Sequence, residues 1–297
     1  LMIILETPTN WPDYELIDSG DGEKLERFGS QILARPEPQA IWRKALSQAE
    51  WNSLANAYFV KKKGNRESDN EWGEWNKKGN CKEQWKIGYS YKQMKLKFRL
   101  GLTSFKHVGI FPEQATNWDF IYDTVQHLSA EKPSVLNLFA YTGGASLAAR
   151  AAGADVTHVD SVKQTITWSR ENMELSKLDG IRWMVDDAVK FVAREVRRAK
   201  TYNGIILDPP AYGRGPEGEK WILETNLCPL LENCKNLLTH KNSFLILNLY
   251  SMGYSPIIAE SLVKSIFKVD KPEIGELYVV DRAGRKLPLG VFLRFLK

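Results

Sequence analysis

The sequence predicts an α/β protein: a doubly wound, mostly parallel seven-stranded sheet preceded by a smaller β-rich domain. Three observations lead there. Beyond Asn117, short apolar segments alternate with longer segments of helical period, which is the spacing of crossover units in a parallel sheet covered on both faces. Before about residue 105 the chain instead carries short segments broken by turn signals, DSGDGE from Asp18 and RPEP from Arg35. The last two apolar segments, 277–280 and 291–295, are joined by DRAGRKLPLG, too short for a helical crossover. They form a hairpin and put one antiparallel strand at the end of the sheet.

The elements follow in order. The segment 61–80 is polar enough for a mobile loop. From Tyr89, YKQMKLKFRLGLTSF sets Met94, Leu96, Phe98 and Leu100 on one side and Lys95, Lys97 and Arg99 on the other, the period of a half-buried strand with a basic outer face. The domains are expected at 1–105 and 106–297. In the second, a helix over 118–128 precedes strand 135–140 and a small-residue helix over 145–152. Strands 156–160, 181–185 and 204–207 follow, separated by helices over 163–175 and 188–199. A helix over 219–238, strand 244–249 and a helix over 256–267 lead to the final hairpin.

At 297 residues the chain has room for two domains. Its 43% hydrophobic and 26% charged content argues against both disorder and a membrane protein. No apolar run approaches the roughly 20 residues of a spanning helix, and the opening LMIIL, followed by Glu6, is too short for a secretory signal. Cys81, Cys228 and Cys234 are too few and too scattered for a disulfide framework or a zinc site, so the expectation is a reducing cytoplasm and no metal. The net charge of +5 is unevenly spread. Between Lys61 and Lys106 thirteen Lys and Arg stand against five acids, interleaved with Trp72, Trp75, Trp85, Tyr89, Tyr91, Phe98 and Phe105. Cations beside stacking rings suit a phosphate backbone carrying exposed bases. The plainer alternative is a solvated β-rich surface whose rings form a core.

The first strand of the second part runs into LNLFAYTGGASLAARAAGA. Gly143 and Gly144 permit a tight turn and close approach to a ligand, and the following helix offers free N–H groups at its start. No third glycine completes a dinucleotide fingerprint, and no Lys-Ser/Thr follows as in a phosphate loop. The next strand ends on Asp160, about twenty residues after Tyr141, placed to accept from the two hydroxyls of a ribose. The third ends on Asp186 and Asp187, where a carboxylate can accept from the exocyclic amine of adenine. Nucleoside recognition without a pyrophosphate cradle points to S-adenosylmethionine rather than NAD. The fourth strand closes as IILDPPAYGRG. Pro209 and Pro210 fix φ and remove two donors, so the loop's carbonyls can face a nucleophile rigidly. Asp208 can orient an amine or take its proton, and Tyr212 offers a ring to a planar base. Each feature has a structural alternative: turn glycines, N-capping aspartates, an inert rigid loop, and Tyr212 as core.

NLFAYTGGAS, VDSV, VDDAVKF and LDPPAYGRG, in that order and spacing, resemble the successive motifs of class I S-adenosylmethionine-dependent methyltransferases, especially the large-ribosomal-subunit RNA methyltransferases that modify cytosine C5 or guanine N7. The similarity covers roughly 102–297. It implies a Rossmann-like methyltransferase fold, with Phe139, Tyr141, Gly143 and Gly144 around the methionine part of the cofactor. It also implies Asp160 and the adjoining Ser161 at the ribose, Asp187 and its neighbour Asp186 at the adenine, and Asp208 beside the sulfonium, with 209–212 walling the substrate pocket. HVGIFPEQ, from His107, resembles the segment just upstream, although Pro-Glu-Gln stands where the family has Asp-Gln.

Methylation at C5 requires a thiolate to add to C6 of the base. The resembling C5 enzymes carry that Cys after the next strand, in a Ser-Cys-Ser-Gly context, whereas LNLYSMGYS has Tyr250 there. Cys228 and Cys234, six apart on one predicted helix, read as buried small apolar residues. The expectation is therefore methyl transfer to a base heteroatom of RNA, ribosomal RNA foremost, with 1–105 gripping the nucleic acid. The alternatives are a protein or small-molecule acceptor, with the N-terminal part as lid or dimer surface, and a silent RNA-binding scaffold. A homodimer is left open, and no membrane partner is expected.

Overall fold

The computed structural model describes residues 2–62, 72–250 and 253–297. The chain opens with strand β1 (Ile3–Glu6), whose partner lies near the other end of the sequence. Strands β2 (Tyr14–Gly20), β3 (Glu23–Phe28) and β4 (Gln31–Pro36) then form an antiparallel meander. Helix α1 (Gln48–Leu54) starts at a reciprocal cap: the Ser47 hydroxyl accepts from the Glu50 amide, and the Glu50 carboxylate accepts from the Ser47 amide. Its Trp51 is fully buried and donates to Asp18 at 2.6 Å.

Strands β5 (Ala57–Lys61) and β6 (Gly73–Lys77) complete a five-stranded sheet. The loop expected over 61–80 is thus in part a strand, because Trp75 packs edge-on against Phe59, ring centroids 5.2 Å apart, and donates to the Thr103 carbonyl. Residues 63–71 of that expected loop lie outside the described residues. The hairpin of β7 (Gln84–Tyr91) and β8 (Met94–Gly101) has the expected alternation, with Met94, Leu96, Phe98 and Leu100 buried and Lys95 and Lys97 exposed.

Helix α2 (Ala115–His127) leads into the expected alternation: β9 (Ser134–Leu138), α3 (Gly144–Ala151), β10 (Asp155–Asp160), α4 (Lys163–Leu175), β11 (Ile181–Val185), α5 (Ala188–Arg197) and β12 (Gly204–Leu207). The helix expected from Glu219 begins later. A small hairpin, β13 (Tyr212–Arg214) with β14 (Lys220–Ile222), comes first, because Trp221 turns inward between exposed Lys220 and half-buried Ile222, and Ile222 hands the chain to α6 (Leu223–Leu237). Strand β15 (Phe244–Leu249), α7 (Pro256–Phe267), β16 (Glu273–Val280) and β17 (Lys286–Leu296) end the chain.

The large sheet has the order β1-β16-β17-β15-β12-β9-β10-β11. The seven expected strands are present, and β1 adds an eighth at the edge, crossing the division expected at residue 105. The antiparallel strand β17 sits between β15 and β16 rather than at the sheet's end, because the hairpin turns β17 back into the gap beside β15. Strand order reverses between β9 and β12, so a crevice opens at their carboxyl ends. One apolar cluster runs from Trp11, Tyr14 and Phe28 through Tyr89 and Phe98 to Trp118, Val135 and Leu147, which fixes the N-terminal part against the large sheet. Charged groups tie the same surfaces: Ser19 donates to Asp281 at 2.7 Å, and Arg285 bridges Asp18 and Asp281.

Candidate active site

The backbone after β9 is coiled into the left-handed region three times in five residues, with φ of +54° at Phe139, +48° at Tyr141 and +94° at Gly143. For two aromatic residues this is strained and must be held by surrounding bonds. Those bonds are present. Asp160 Oδ2 accepts from the Tyr141 amide at 2.9 Å, Ser169 Oγ donates to the Tyr141 carbonyl at 2.7 Å, and Asn172 donates to the Thr142 carbonyl at 2.9 Å. Beneath the loop, His158 is buried against the Ser146 hydroxyl at 2.9 Å, and desolvation lowers its pKa to about 3, so it stays a neutral hydrogen-bonding strut. Gly144 is required for packing: a Cβ there would meet the Trp118 ring at 2.5 Å.

A cleft of about 760 Å³ lies over these strand ends. Phe139, Tyr141, Asp160, Ser161, Asp186 and Asp187 line one wall. Gly143 and Gly144 line an adjoining recess of about 50 Å³ that shares Phe139, Tyr141 and Asp208 with the cleft. Asp160 also accepts from the Val162 amide at 2.9 Å, and desolvation raises its carboxyl above the ordinary range. Asp187 caps α5 by accepting from the Lys190 amide at 2.9 Å, so its structural role and its place on the cleft wall coexist. The Asp186 carboxylate is ion-paired with Arg194.

The opposite wall comes from the loop after β12. Asp208 opens onto the cleft but is hemmed in by protein on its other sides, and that desolvation pushes its carboxyl up to about 6. Pro210 is locked by Trp221, whose indole donates to its carbonyl at 2.6 Å and whose ring sits 4.7 Å from that of Phe139. Tyr212 is 44% exposed at the cleft and is not core. Tyr250 also lines the cleft. No cysteine is among the described lining residues. Cys234 is buried, as expected, and burial raises its thiol; Cys228 is exposed, contrary to expectation, because a six-residue step along α6 turns it onto another face of the helix.

Sequence reasoning missed the part of the cleft built by the N-terminal sheet. Lys24, Arg35 and Glu37 line it from β3 and the end of β4. Lys24 pairs with Glu37 at 3.2 Å, and Arg35 donates to Glu26 at 2.9 Å. Burial alone would raise Glu26, but Arg35 and Lys24 hold it below the usual carboxylate range. Glu113 is buried beside this group, and its carboxyl is pushed up to about 7 by burial, against the pull of Lys24 and with help from Glu26 and Asp208. Only a paired register could have placed Lys24 and Arg35 side by side, since they face each other across β3 and β4.

A family model described as S-adenosylmethionine-dependent methyltransferase matches residues 10–283. The ribosomal RNA large subunit methyltransferase K/L of Shewanella frigidimarina is 29% identical over 156 residues, 51% of this chain and 21% of that protein. Its counterpart in Pseudoalteromonas atlantica is 30% identical over 145 residues, 48% and 20% of the two chains. The chain thus matches about a fifth of the length of these curated relatives. A solved SAM-dependent methyltransferase from Agrobacterium tumefaciens is 37% identical, superposes with a TM-score of 0.89, and covers 99% of this chain and 93% of its own. Trm5b from Pyrococcus abyssi shares the fold at a TM-score of 0.51 with 15% identity, over 98% of this chain and 76% of its own. Among the described residues no helix is long and apolar enough to cross a membrane. With its sheet order, its glycine loop and its acidic strand ends, the chain belongs to the S-adenosylmethionine-dependent methyltransferase family.

Proposed function

We propose that this methyltransferase acts on a heteroatom of an RNA base, ribosomal RNA foremost, without a cysteine nucleophile. The observation that carries the reading is the make-up of one cleft. Acidic strand ends form one wall, the Asp-Pro-Pro-Ala-Tyr loop forms the other, and Tyr250 stands where a thiol would be needed for attack on a base carbon. The curated relatives' names support RNA as the acceptor, as does the local excess of cations before Lys106.

The residues fit the cofactor. S-adenosylmethionine, when bound, supplies an electrophilic methyl group on a sulfonium. Each Asp160 oxygen accepts one backbone amide and keeps a second lone-pair site, which is what two ribose hydroxyls require. Asp187 spends Oδ1 on the Lys190 amide and leaves its other oxygen for an adenine amine. Asp186, held by Arg194, and Ser161 complete that wall. Phe139, Tyr141, Gly143 and Gly144 surround the methionine part, where the left-handed backbone brings main chain close. Asp208 stands beside the sulfonium, whose positive charge would favour its ionised form.

On the acceptor side, Asp208 holds an amine or takes its proton, the Pro209-Pro210 backbone fixes the in-line direction, and Tyr212 stacks on the base. Residues 1–105 serve as the substrate-binding part, with 106–297 as the methyltransferase domain. Purified protein with tritiated S-adenosylmethionine should label ribosomal RNA taken from a strain lacking the gene, and nucleoside mass spectrometry should locate the mark on a base nitrogen or oxygen. Label appearing only in protein or small molecules overturns the RNA assignment; a mark on a base carbon overturns the heteroatom assignment.

A further inference from the structure

Of the seven rings interleaved with cations between Lys61 and Lys106, most turn inward. Trp85, Tyr89 and Phe98 are core, while Trp75 and Tyr91 are half-buried and bonded to Thr103 and Asp123. Trp72 and Phe105 differ: they are 51% and 41% exposed and meet each other edge to face with centroids 5.3 Å apart. A pair of large rings left open to water, side by side, asks what covers it.

Its surroundings indicate the occupant. The pair is held rigidly: Trp72 and Phe105 form a β-bridge, the Gly73 amide donates to the Ser104 carbonyl at 3.0 Å, and the Phe105 amide donates to Thr103 Oγ1 at 3.1 Å. The next two residues, Lys106 and His107, line the cleft, and Arg35 clamps the Lys106 carbonyl at 3.1 Å. From there rings lead inward, His107 to Phe111 at 5.0 Å and Phe111 to Tyr141 of the glycine loop at 5.3 Å. The open rings therefore sit one residue from Lys106 at the cleft wall, in the segment whose thirteen Lys and Arg outnumber its five acids, whereas Lys24 and Arg35 are buried there and paired with Glu37 and Glu26. Cations next to preorganised rings match a backbone that is anionic and carries flat apolar faces.

We propose that Trp72 and Phe105 form a stacking platform for an unpaired base flanking the acceptor nucleotide of a single-stranded RNA segment. The platform rests on the RNA reading given above. It positions the neighbour while the acceptor base enters the cleft.

The test compares two short single strands of equal phosphate number, oligouridine and its abasic counterpart, by fluorescence anisotropy at fixed salt. Wild-type protein should hold oligouridine at least about tenfold more tightly, since the abasic strand loses the base on the platform as well as the one on Tyr212. Trp72→Leu with Phe105→Leu keeps apolar contact but removes the rings, and should cut that preference about tenfold, leaving only the share that Tyr212 holds; the single variants serve if the double one folds poorly. Trp72→Phe should restore most of the preference. Unchanged S-adenosylmethionine affinity by calorimetry confirms that each variant is folded. Equal wild-type affinity for the two strands, or a preference undiminished in a folded Leu variant, overturns the platform and leaves the RNA reading standing. No binding to either strand, with no transfer to RNA, overturns both.

Discussion

The two walls of the cleft are built in different ways. The Asp160 wall is assembled within one stretch from Phe139 to Asp187, on three neighbouring strands, and its side chains are held by bonds to backbone amides. The Asp208 wall draws on β12, the β13–β14 hairpin, Tyr250 and, across the cleft mouth, Lys24, Arg35 and Glu37 from the N-terminal sheet. The first is a preformed socket in which strain at Phe139 and Tyr141 is held by neighbours. The second is more open and depends on contacts far apart in sequence, as expected where one cofactor must be combined with a particular acceptor.

Substitutions should separate the two walls. Asp208→Asn keeps the shape but removes the charge, and kcat should fall by roughly a hundredfold or more, the range for a lost acid–base group, while cofactor affinity falls by about tenfold at most, because the sulfonium loses one neighbouring charge. Loss of cofactor binding in step with kcat would move Asp208 to the other wall. Asp160→Ala should do the reverse. It removes the acceptor for the Tyr141 and Val162 amides as well as for the ribose, so S-adenosylmethionine affinity should drop about ten- to a hundredfold by calorimetry. Unchanged affinity would remove the ribose assignment.

Tyr212→Ala sharpens the comparison further. Being open to the cleft, the ring should contribute about one stacking interaction, so transfer should fall about tenfold while cofactor binding holds. Equal loss of both would make Tyr212 a structural residue. The pH dependence follows from the carboxyls. In the cofactor-free protein Asp208 near 6 and Glu113 near 7 lose their protons as pH rises, so kcat/KM should climb through about pH 6 to 7 and be lost as pH falls through that window. Glu113→Gln should narrow the limb to the single step near 6. A limb left unchanged in Glu113→Gln would mean that Glu113 does not couple to the chemistry.

The same difference between the walls decides what could be read from sequence. Local signals carried the Asp160 wall: a double glycine after an apolar strand, then aspartates closing the next two strands, each within a short window. Strands β9, β12 and β15 were legible because a strand buried on both faces is mostly apolar, and β10 and the edge strand β11 because they fall at the regular spacing of the strand–helix alternation. Strand β1 was not, because four residues, Ile3–Glu6, say nothing of a partner strand whose register with them begins at Ile274. Nor was β14, where a single buried Trp221 between Lys220 and Ile222 was submerged in a helical-looking run. Lys24, Arg35 and Glu37 are ordinary surface residues by composition, and only the pairing of β3 with β4 turns them toward the cleft. Among the rings of the basic segment, sequence showed the alternation but could not tell Trp72 and Phe105 from those that pack inward.

The smallest expected effect concerns the cysteines, and it tests the chemistry assigned to the Asp208 wall. Neither Cys228 nor Cys234 lines the cleft; one faces solvent and the other is sealed in the core between α6 and the sheet, with a thiol that burial keeps protonated. Cys228→Ala with Cys234→Ala should therefore leave kcat within about twofold, while the small void at Cys234 lowers stability by about 1 kcal/mol, visible as a drop of a few degrees in Tm. The two readouts should dissociate. If a double variant that is still folded and still binds S-adenosylmethionine transfers no methyl group, a thiol must reach the acceptor through a rearrangement of α6, and attack at a base carbon would replace attack by a heteroatom.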